Sequence, residues 1–527
     1  MPLRRKRFGF RLSWMRSKFT VALCVALLAL PARAQAPLSA IDWLNSLADP
    51  QARRLGEVTA GEAPVSGGVV TPEVQISPIA APDAQSVGLL SLAQTGLPEG
   101  LWQASTPDAL ERLIAQADLR PLMALQKLFY TLLLAEALPP VGQDAEAFLT
   151  LRAERLRAFG AIEPAEALVA RLPLASPAHF ALWFDLTLLA GLEDRACQEL
   201  NAKRGLSNDY AAQIFCALRG GDWAEAVLLF DTADALGLLT ATERGLLRAF
   251  LDPDYAELAP DLAPPRSVTA LEFRLFEAVG QPLPTANLPI AFAVADLRDL
   301  AGWKAQLEAA ERLVRNAALS PNVLLGLYTE RRAAASGGVW ERVRRVQALE
   351  AALETGFQAG QAEALSAALA AAYEEMLAAG LLGALAQIYA PELSGLPMTA
   401  QGDALRFRLT LLSGLYEQAQ VAQQTPLTLF LSALAAGQPR GAAALQDPLA
   451  EAIEAGFGAL APQETVALLA MQGKLGEAIL LAAAQVRAGL IGDPEALSRG
   501  IAALRQLGLE DVARRASLEI MLMRRRP

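Results

Sequence analysis

The sequence predicts an all-α protein, an α–α superhelix (a solenoid of short helical hairpins) entered through an irregular, partly extended N-terminal segment. Three observations carry this. From Ser105 onward apolar residues recur at helical spacing, as in ALERLIAQA and LMALQKLFYTLLLAEAL. Helices repeatedly end near a glycine, pass through a very short turn and resume with a small residue. Successive glycines of this kind are separated by 31, 30, 81, 78, 34, 59 and 35 residues, one unit or about two units of a helical-hairpin repeat.

Residues 1–34 read as a secretory signal. Arg4, Arg5, Lys6, Arg7, Arg11, Arg16 and Lys18 precede the apolar run FTVALCVALLAL, and Ala32-Arg33-Ala34 supplies an A-x-A cleavage pattern. The run is shorter than the roughly 20 residues a membrane-spanning helix requires. Cys24 sits inside it and is a poor lipid acceptor. Cleavage removes eight basic and no acidic residues, leaving 38 basic against 56 acidic and a net charge near −18 rather than −10. Such acidity argues against nucleic-acid binding, which depends on neutralising phosphates. The expected location is the periplasm, reached by the general secretory route, with no membrane span after cleavage.

Residues 35–48 contain SAIDWLNSLAD, a short amphipathic helix. Ser39 caps it, Asp42 favours its positive end, and Ile41, Leu44 and Leu47 share a face flanked by Trp43. These four apolar residues are candidate docking residues, in cis as a cap or in trans on a partner. Residues 49–104 form a Pro/Gly-rich linker and cap. Within it GGVVTPEVQISPI alternates like a strand, and Pro72 and Pro78 restrict it to an edge or an isolated pairing. VGLLSLAQTGLPEGLW then leads into the helical body and is expected to pack along its first helices.

Residues 105–522 are the predicted solenoid and 523–527 a basic tail. Thr106-Pro107-Asp108 opens the first helix with proline at its first position. The repeat turns centre on Gly160, Gly191, Gly221, Gly302, Gly380, Gly414, Gly473 and Gly508. Glycine accepts the left-handed conformation that ends a helix. The small residue a few positions later lets the second helix approach the first. Gly221-Asp222-Trp223-Ala224-Glu225-Ala226-Val227 resembles the turn of a tetratricopeptide repeat, as do Gly473-Lys474-Leu475-Gly476-Glu477-Ala478-Ile479 and Gly302-Trp303. Elsewhere that family's aromatic and proline landmarks are missing, so the resemblance implies a degenerate repeat or a related irregular one. The order SAIDWL, VGLL…GLP…LW and FCALRGGDW also resembles an uncharacterised family of exported alphaproteobacterial proteins, from which no activity transfers.

Composition restricts the chemistry. With 53% hydrophobic and 19% charged residues the chain is no disordered polymer. One histidine and three cysteines leave no multi-histidine metal site, and no metal or other cofactor is expected. Cys197 and Cys216 lie equidistant from a turn at Leu206-Ser207, hence at the same height on antiparallel helices, and a disulfide is predicted; two buried free thiols are the alternative. His179 falls in the first turn of a helix opened by Ser176-Pro177, a packing position. No G-x-S-x-G elbow, phosphate-binding loop or S-x-x-K motif occurs. Glu374-Glu375 and Glu193-Asp194 are adjacent helix residues pointing about 100° apart, unlike carboxylates facing across a cleft. Arg331, Arg332, Arg342, Arg344 and Arg345 alternate with Glu330, Glu341 and Glu350 as an ion-paired surface helix, a basic patch being the alternative. Trp183, Trp223, Trp303 and Trp340 are expected in the core.

No catalytic motif emerges. The expected function is an exported non-enzymatic scaffold or adaptor that binds protein or peptide partners in the bacterial envelope. The alternative is an enzyme acting on cell-wall glycan, or its regulator, on a frame resembling the α-solenoid of soluble lytic transglycosylases.

Overall fold

The computed structural model describes residues 86–523, apart from 175, 253, 256–261, 299, 355–359, 422 and 459–463. All of these belong to one compact unit, Pro64–Pro527. The expected secretory signal, the expected amphipathic helix with Ile41, Trp43, Leu44 and Leu47, and the expected alternating segment around Val74 lie outside the described residues.

The described residues are all-helical. A short entry helix, α1 (Leu92–Thr95), is followed by α2 (Pro107–Gln116), α3 (Met123–Leu134), α4 (Ala145–Phe159), α5 (Ile162–Val169), α6 (Pro177–Ala190), α7 (Glu193–Ala202) and α8 (Tyr210–Arg219). The middle comprises α9 (Trp223–Ala235), α10 (Ala241–Leu251), α11 (Ala270–Ala278), α12 (Trp303–Arg315), α13 (Pro321–Glu330), α14 (Gly338–Glu354) and α15 (Gln361–Ala378). The last are α16 (Leu382–Glu392), α17 (Ala400–Leu411), α18 (Pro426–Ala435), α19 (Pro448–Gly458), α20 (Glu464–Met471), α21 (Leu475–Leu490), α22 (Pro494–Gln506) and α23 (Glu510–Leu522).

Their boundaries follow from local chemistry. Asp144, Ser176, Asp209, Asp222, Thr240, Thr269 and Thr399 each accept a hydrogen bond from an N–H of the first turn they precede. Each such cap contributes about 1 kcal/mol. Proline opens α2, α6, α13, α18 and α22, where its missing N–H costs nothing. Gly160 ends α4 at φ 87°, and the following Ala161 N–H reaches back to Leu156 O at 3.0 Å.

Consecutive helices pack as hairpins: α4 on α5, α6 on α7, α8 on α9, α14 on α15, α16 on α17 and α21 on α22. Two departures make the superhelix irregular. A 3-10 segment, Ile290–Leu297, crosses back to α4 and α6 while packing on α12 through Ala293, Ala309 and Leu313. Towards the C-terminus α22 packs on both α19 and α21.

The chain then returns on itself. The last helix, α23, packs on α3, which also meets α4 and α21. The Tyr130 hydroxyl of α3 donates to Asn316 O just past α12 at 3.1 Å. Nine of the twelve residues of α3 are buried, among them Leu125, Leu132 and Leu133 with no exposed surface. A helix apolar around most of its circumference is stable only when surrounded, and MALQKLFYTLLL, with Gln126, Lys127 and Thr131 its polar exceptions, is such a sequence. Each fully buried leucine contributes about 1.5–3 kcal/mol.

The segment before α2 closes the same seam. Val87 and Leu90 make isolated β-bridges to Ala137 and Ala135, and no strand forms among the described residues. Trp102 is fully buried, with its ring edge-on to Phe148 at 6.1 Å. The Gly476 N–H at the start of α21 donates to Leu101 O at 3.1 Å. A Cβ at Gly476 would stand 2.2 Å from the Trp102 ring, so the small residue at this turn admits an indole. The entry segment thus packs on both the first helices and a late one.

Two charged groups are buried in this seam. The Arg152 guanidinium donates to Val87 O at 2.7 Å and Ala135 O at 3.0 Å, fastening the entry segment to the end of α3. Burial pushes it down to about 10. Glu519 of α23 accepts from the Ala124 N–H at 3.0 Å, in the first turn of α3. Burial raises its carboxyl to about 7, and burial lowers nearby Lys127 to about 8.

Candidate functional site

Cys197 on α7 and Cys216 on α8 form a disulfide with a Cα separation of 4.7 Å, and both are buried. A 3-10 turn at Arg204–Leu206 reverses the chain midway between them. The bridge is a staple within one helix pair.

The predicted repeat turns divide by conformation. Gly160, Gly191, Gly221, Gly380, Gly473 and Gly508 all have φ between 69° and 87°, the left-handed geometry of a helix end. Gly302 differs: at φ −64° and ψ 145° it is the extended residue preceding α12. Gly414 differs too, since the chain after α17 enters only a 3-10 turn, Tyr416–Gln418, before α18. In both places the neighbouring turn is irregular, so glycine marks a chain bend without a helix hairpin around it.

His179 is buried in the first turn of α6 with Nε2 3.0 Å from Val169 O, so this nitrogen carries the proton. Its backbone N–H donates to the capping Ser176 hydroxyl at 3.1 Å. Glu193 is buried against Arg274 at 2.6 Å, and Asp194 pairs with Arg219 at 2.5 Å. Glu374 is exposed on α15 beside half-buried Glu375. The arginine-rich stretch is not one helix: Arg331 and Arg332 lie between α13 and α14, where Arg331 meets Glu330 at 2.8 Å, while on α14 Arg345 meets Glu341 at 2.8 Å and Arg344 also pairs with Glu341.

Arg342 goes further than the sequence indicated. It grips buried Glu311 of α12 through two bonds of 2.7 and 2.6 Å, and the Tyr328 hydroxyl donates to the same carboxylate at 2.7 Å. Burial, reinforced by Glu311, holds the Tyr328 phenol well above its ordinary range. Nothing in local spacing announces this network, because its members sit on three successive helices. Among the described residues no group of three or more histidine, cysteine, aspartate or glutamate side chains is placed to hold a metal ion.

The tryptophans depart from expectation at one position. Trp183 and Trp303 are buried and Trp340 is half-buried, its ring 5.1 Å from that of Trp303. Trp223 instead is 58% exposed. The cause lies in α9, which buries only Ala226 and Ala233 against its neighbours. These alanines let α9 lie close to α8, and the bulkier residues of the helix face outward. Trp223, Val227 and Phe230, at helical spacing, line a depression of about 500 Å³ with Leu251, Arg248 and Asp252. The indole N–H donates to Leu251 O at 3.3 Å, which fixes one edge of the ring and leaves its face open. Leu228, elsewhere on α9, and Leu236 and Leu238, at and beyond its far end, are also exposed. A solitary exposed leucine is ordinary, but an open tryptophan sharing a depression with Val227, Phe230 and Leu251 is an apolar surface of the kind that marks interaction sites.

Among the described residues no helix is long and apolar enough to cross a membrane. No protein-family model, curated protein or solved structure matches the chain.

Proposed function

We infer that the protein is an exported helical-repeat scaffold, without catalysis of its own, that binds a protein or peptide partner in the bacterial envelope. The observation that supports this most directly is the apolar depression on α9. Trp223, Val227 and Phe230 offer an aromatic anchor with two apolar neighbours, and Arg248 and Asp252 supply a polar rim. Interfaces concentrate their energy in aromatic anchors that become buried on binding. The N-terminal leader pattern supports export, and the degenerate tetratricopeptide-like turns support a role in protein binding.

The test is crosslinking and pull-down from the envelope fraction with the intact protein and with Trp223→Asp and Phe230→Asp. A specific partner recovered by the parent protein should be lost from both variants, while helical content and thermal midpoint stay unchanged because both side chains are already partly in water. Identical recovery from the variants would overturn the docking surface. Release of soluble muropeptides by the purified protein would overturn the non-enzymatic reading in favour of the glycan-acting one.

A further inference from the structure

Four parts of the chain meet around a cleft of about 300 Å³: the loop between α2 and α3, the end of α4, the start of the 3-10 segment at Ile290 and the end of α12. Four arginines line it, Arg120, Arg155, Arg312 and Arg315, against a single carboxylate, Asp118. That carboxylate is already shared, with Arg120 Nε at 2.8 Å and Arg487 at 3.4 Å. The other three guanidinium groups are held by backbone carbonyls. Arg155 donates to Ala117 O; Arg312 donates to Thr285 O and Leu288 O at 2.9 and 3.0 Å; Arg315 donates to Ala379 O at 3.0 Å.

A carbonyl fixes the position of a guanidinium and leaves its charge standing. Nearby acids do not cancel it. Glu311, 3.8 Å from Arg315, is committed to Arg342 at 2.6 Å. Asp296, which feels the charge of Arg312, accepts the Thr285 hydroxyl and is raised by burial. Burial holds Arg155 below the usual arginine range, with Asp118 opposing and Arg120 adding repulsion, and it does the same to Arg312, with Asp296 opposing and Arg315 adding repulsion. The Arg155 Nε is buried and has no hydrogen-bond partner. Three or four like charges are therefore fixed around one concavity in a chain whose net charge is −10. Holding them together costs free energy that a bound anion would return.

We propose that this cleft binds a small organic polyanion, whose phosphate or carboxylate oxygens take the remaining N–H groups of Arg120, Arg155, Arg312 and Arg315. Each guanidinium has five donors in a planar fork suited to two-point contact with such oxygens. The side of the cleft formed by Phe159 and Ile290 is apolar, which accommodates a short carbon body behind the charged end. The volume lies at the lower end of the range for small-molecule sites, fitting a metabolite-sized ligand rather than a polymer. This site is distinct from the α9 depression and stands or falls independently of it.

The test is calorimetric titration and thermal denaturation of the intact protein with inorganic phosphate, glycerol phosphate, succinate and citrate, each against sodium chloride of equal ionic strength. Saturable one-to-one binding of at least one probe is expected, and the order of the four tells a phosphate from a carboxylate ligand. Arg155→Gln and Arg315→Gln should each weaken binding about tenfold or more, since each removes a charge-assisted hydrogen-bond donor. Asp118→Asn should tighten it severalfold, an effect of opposite sign that mere structural damage does not produce. Arg345→Gln, an exposed arginine outside the cleft, should leave affinity unchanged. Should these variants fail to fold, Arg120→Gln replaces them, because that side chain is 55% exposed. Absence of saturable binding at millimolar concentration, or equal affinity in the cleft variants and the parent, would overturn the proposal.

Discussion

Replacing Cys197 and Cys216 together by alanine opens a loop of 19 residues' separation. In the chain-entropy model, closing such a loop removes about 11 cal/mol/K from the unfolded ensemble, or about 3 kcal/mol at 25 °C. The loss should be local. In stacked helical hairpins stability is approximately a sum of unit and neighbour contributions, so the opening that becomes easier is that of α7 and α8. A change of 3 kcal/mol corresponds to about a hundredfold in an opening equilibrium. Amide exchange across 193–219 should therefore accelerate by up to that factor in the double variant, while α14, α15 and α22 keep their protection. Alanine suits the test because both sulfurs are buried and it adds no unpaired hydroxyl. Less than a threefold change across 193–219, or equal acceleration everywhere, would refute the reasoning. Alkylation of the denatured but unreduced protein followed by mass spectrometry, expected to label neither sulfur, checks the bridge itself.

Glu519→Gln should stabilise the protein at neutral pH and flatten its pH dependence. The folded-state carboxyl is raised to about 7 from an ordinary 4.5, so the folded state holds a proton that the unfolded state has lost. Its contribution is therefore greatest below pH 4.5 and lost as pH rises to 7, by about 3 kcal/mol; denaturant melts at pH 5 and 7.5 measure the difference between parent and variant. Gly476→Ala should destabilise by about 1–3 kcal/mol, because its Cβ would lie 2.2 Å from an indole with no exposed surface, and urea unfolding followed by tryptophan emission reads the loss. Arg152→Met should cost about 3 kcal/mol, since the carbonyls of Val87 and Ala135 lose a buried donor. Limited proteolysis should then cut near Val87 before the helices unfold, and a parent-like digestion pattern would contradict it.

Most of the helical framework was legible in the sequence, for local reasons. The apolar residues of MALQKLFYTLLL surround the helix, and α3 is enclosed. The prolines at 107 and 177 and the glycines at 160, 191, 380 and 508 mark ends that depend only on backbone preferences. The cysteine pairing followed from equal distances to one turn. What escaped depends on where distant parts meet. No periodicity tells that Glu519 reaches Ala124, that Trp102 lodges against Gly476, or that Arg155 and Arg315 line one cleft. Trp223 was misplaced because a large apolar residue in a repeat-like turn resembles a core anchor, whereas the burial of α9 is decided by its alanines. Gly302 and Gly414 fit the pattern of residue types without its geometry.

The contact between Glu519 and Ala124 spans 395 residues. A ribosome adding about 5–20 residues per second needs roughly 20 to 80 s to travel that distance. Throughout that interval α3 has been made and its covering partner α23 has not. A largely apolar helix, waiting so long with the side that faces α23 uncovered, is a natural substrate for a holding chaperone. Early termination would leave that surface permanently open, so C-terminally truncated chains should aggregate even when every hairpin they contain is intact.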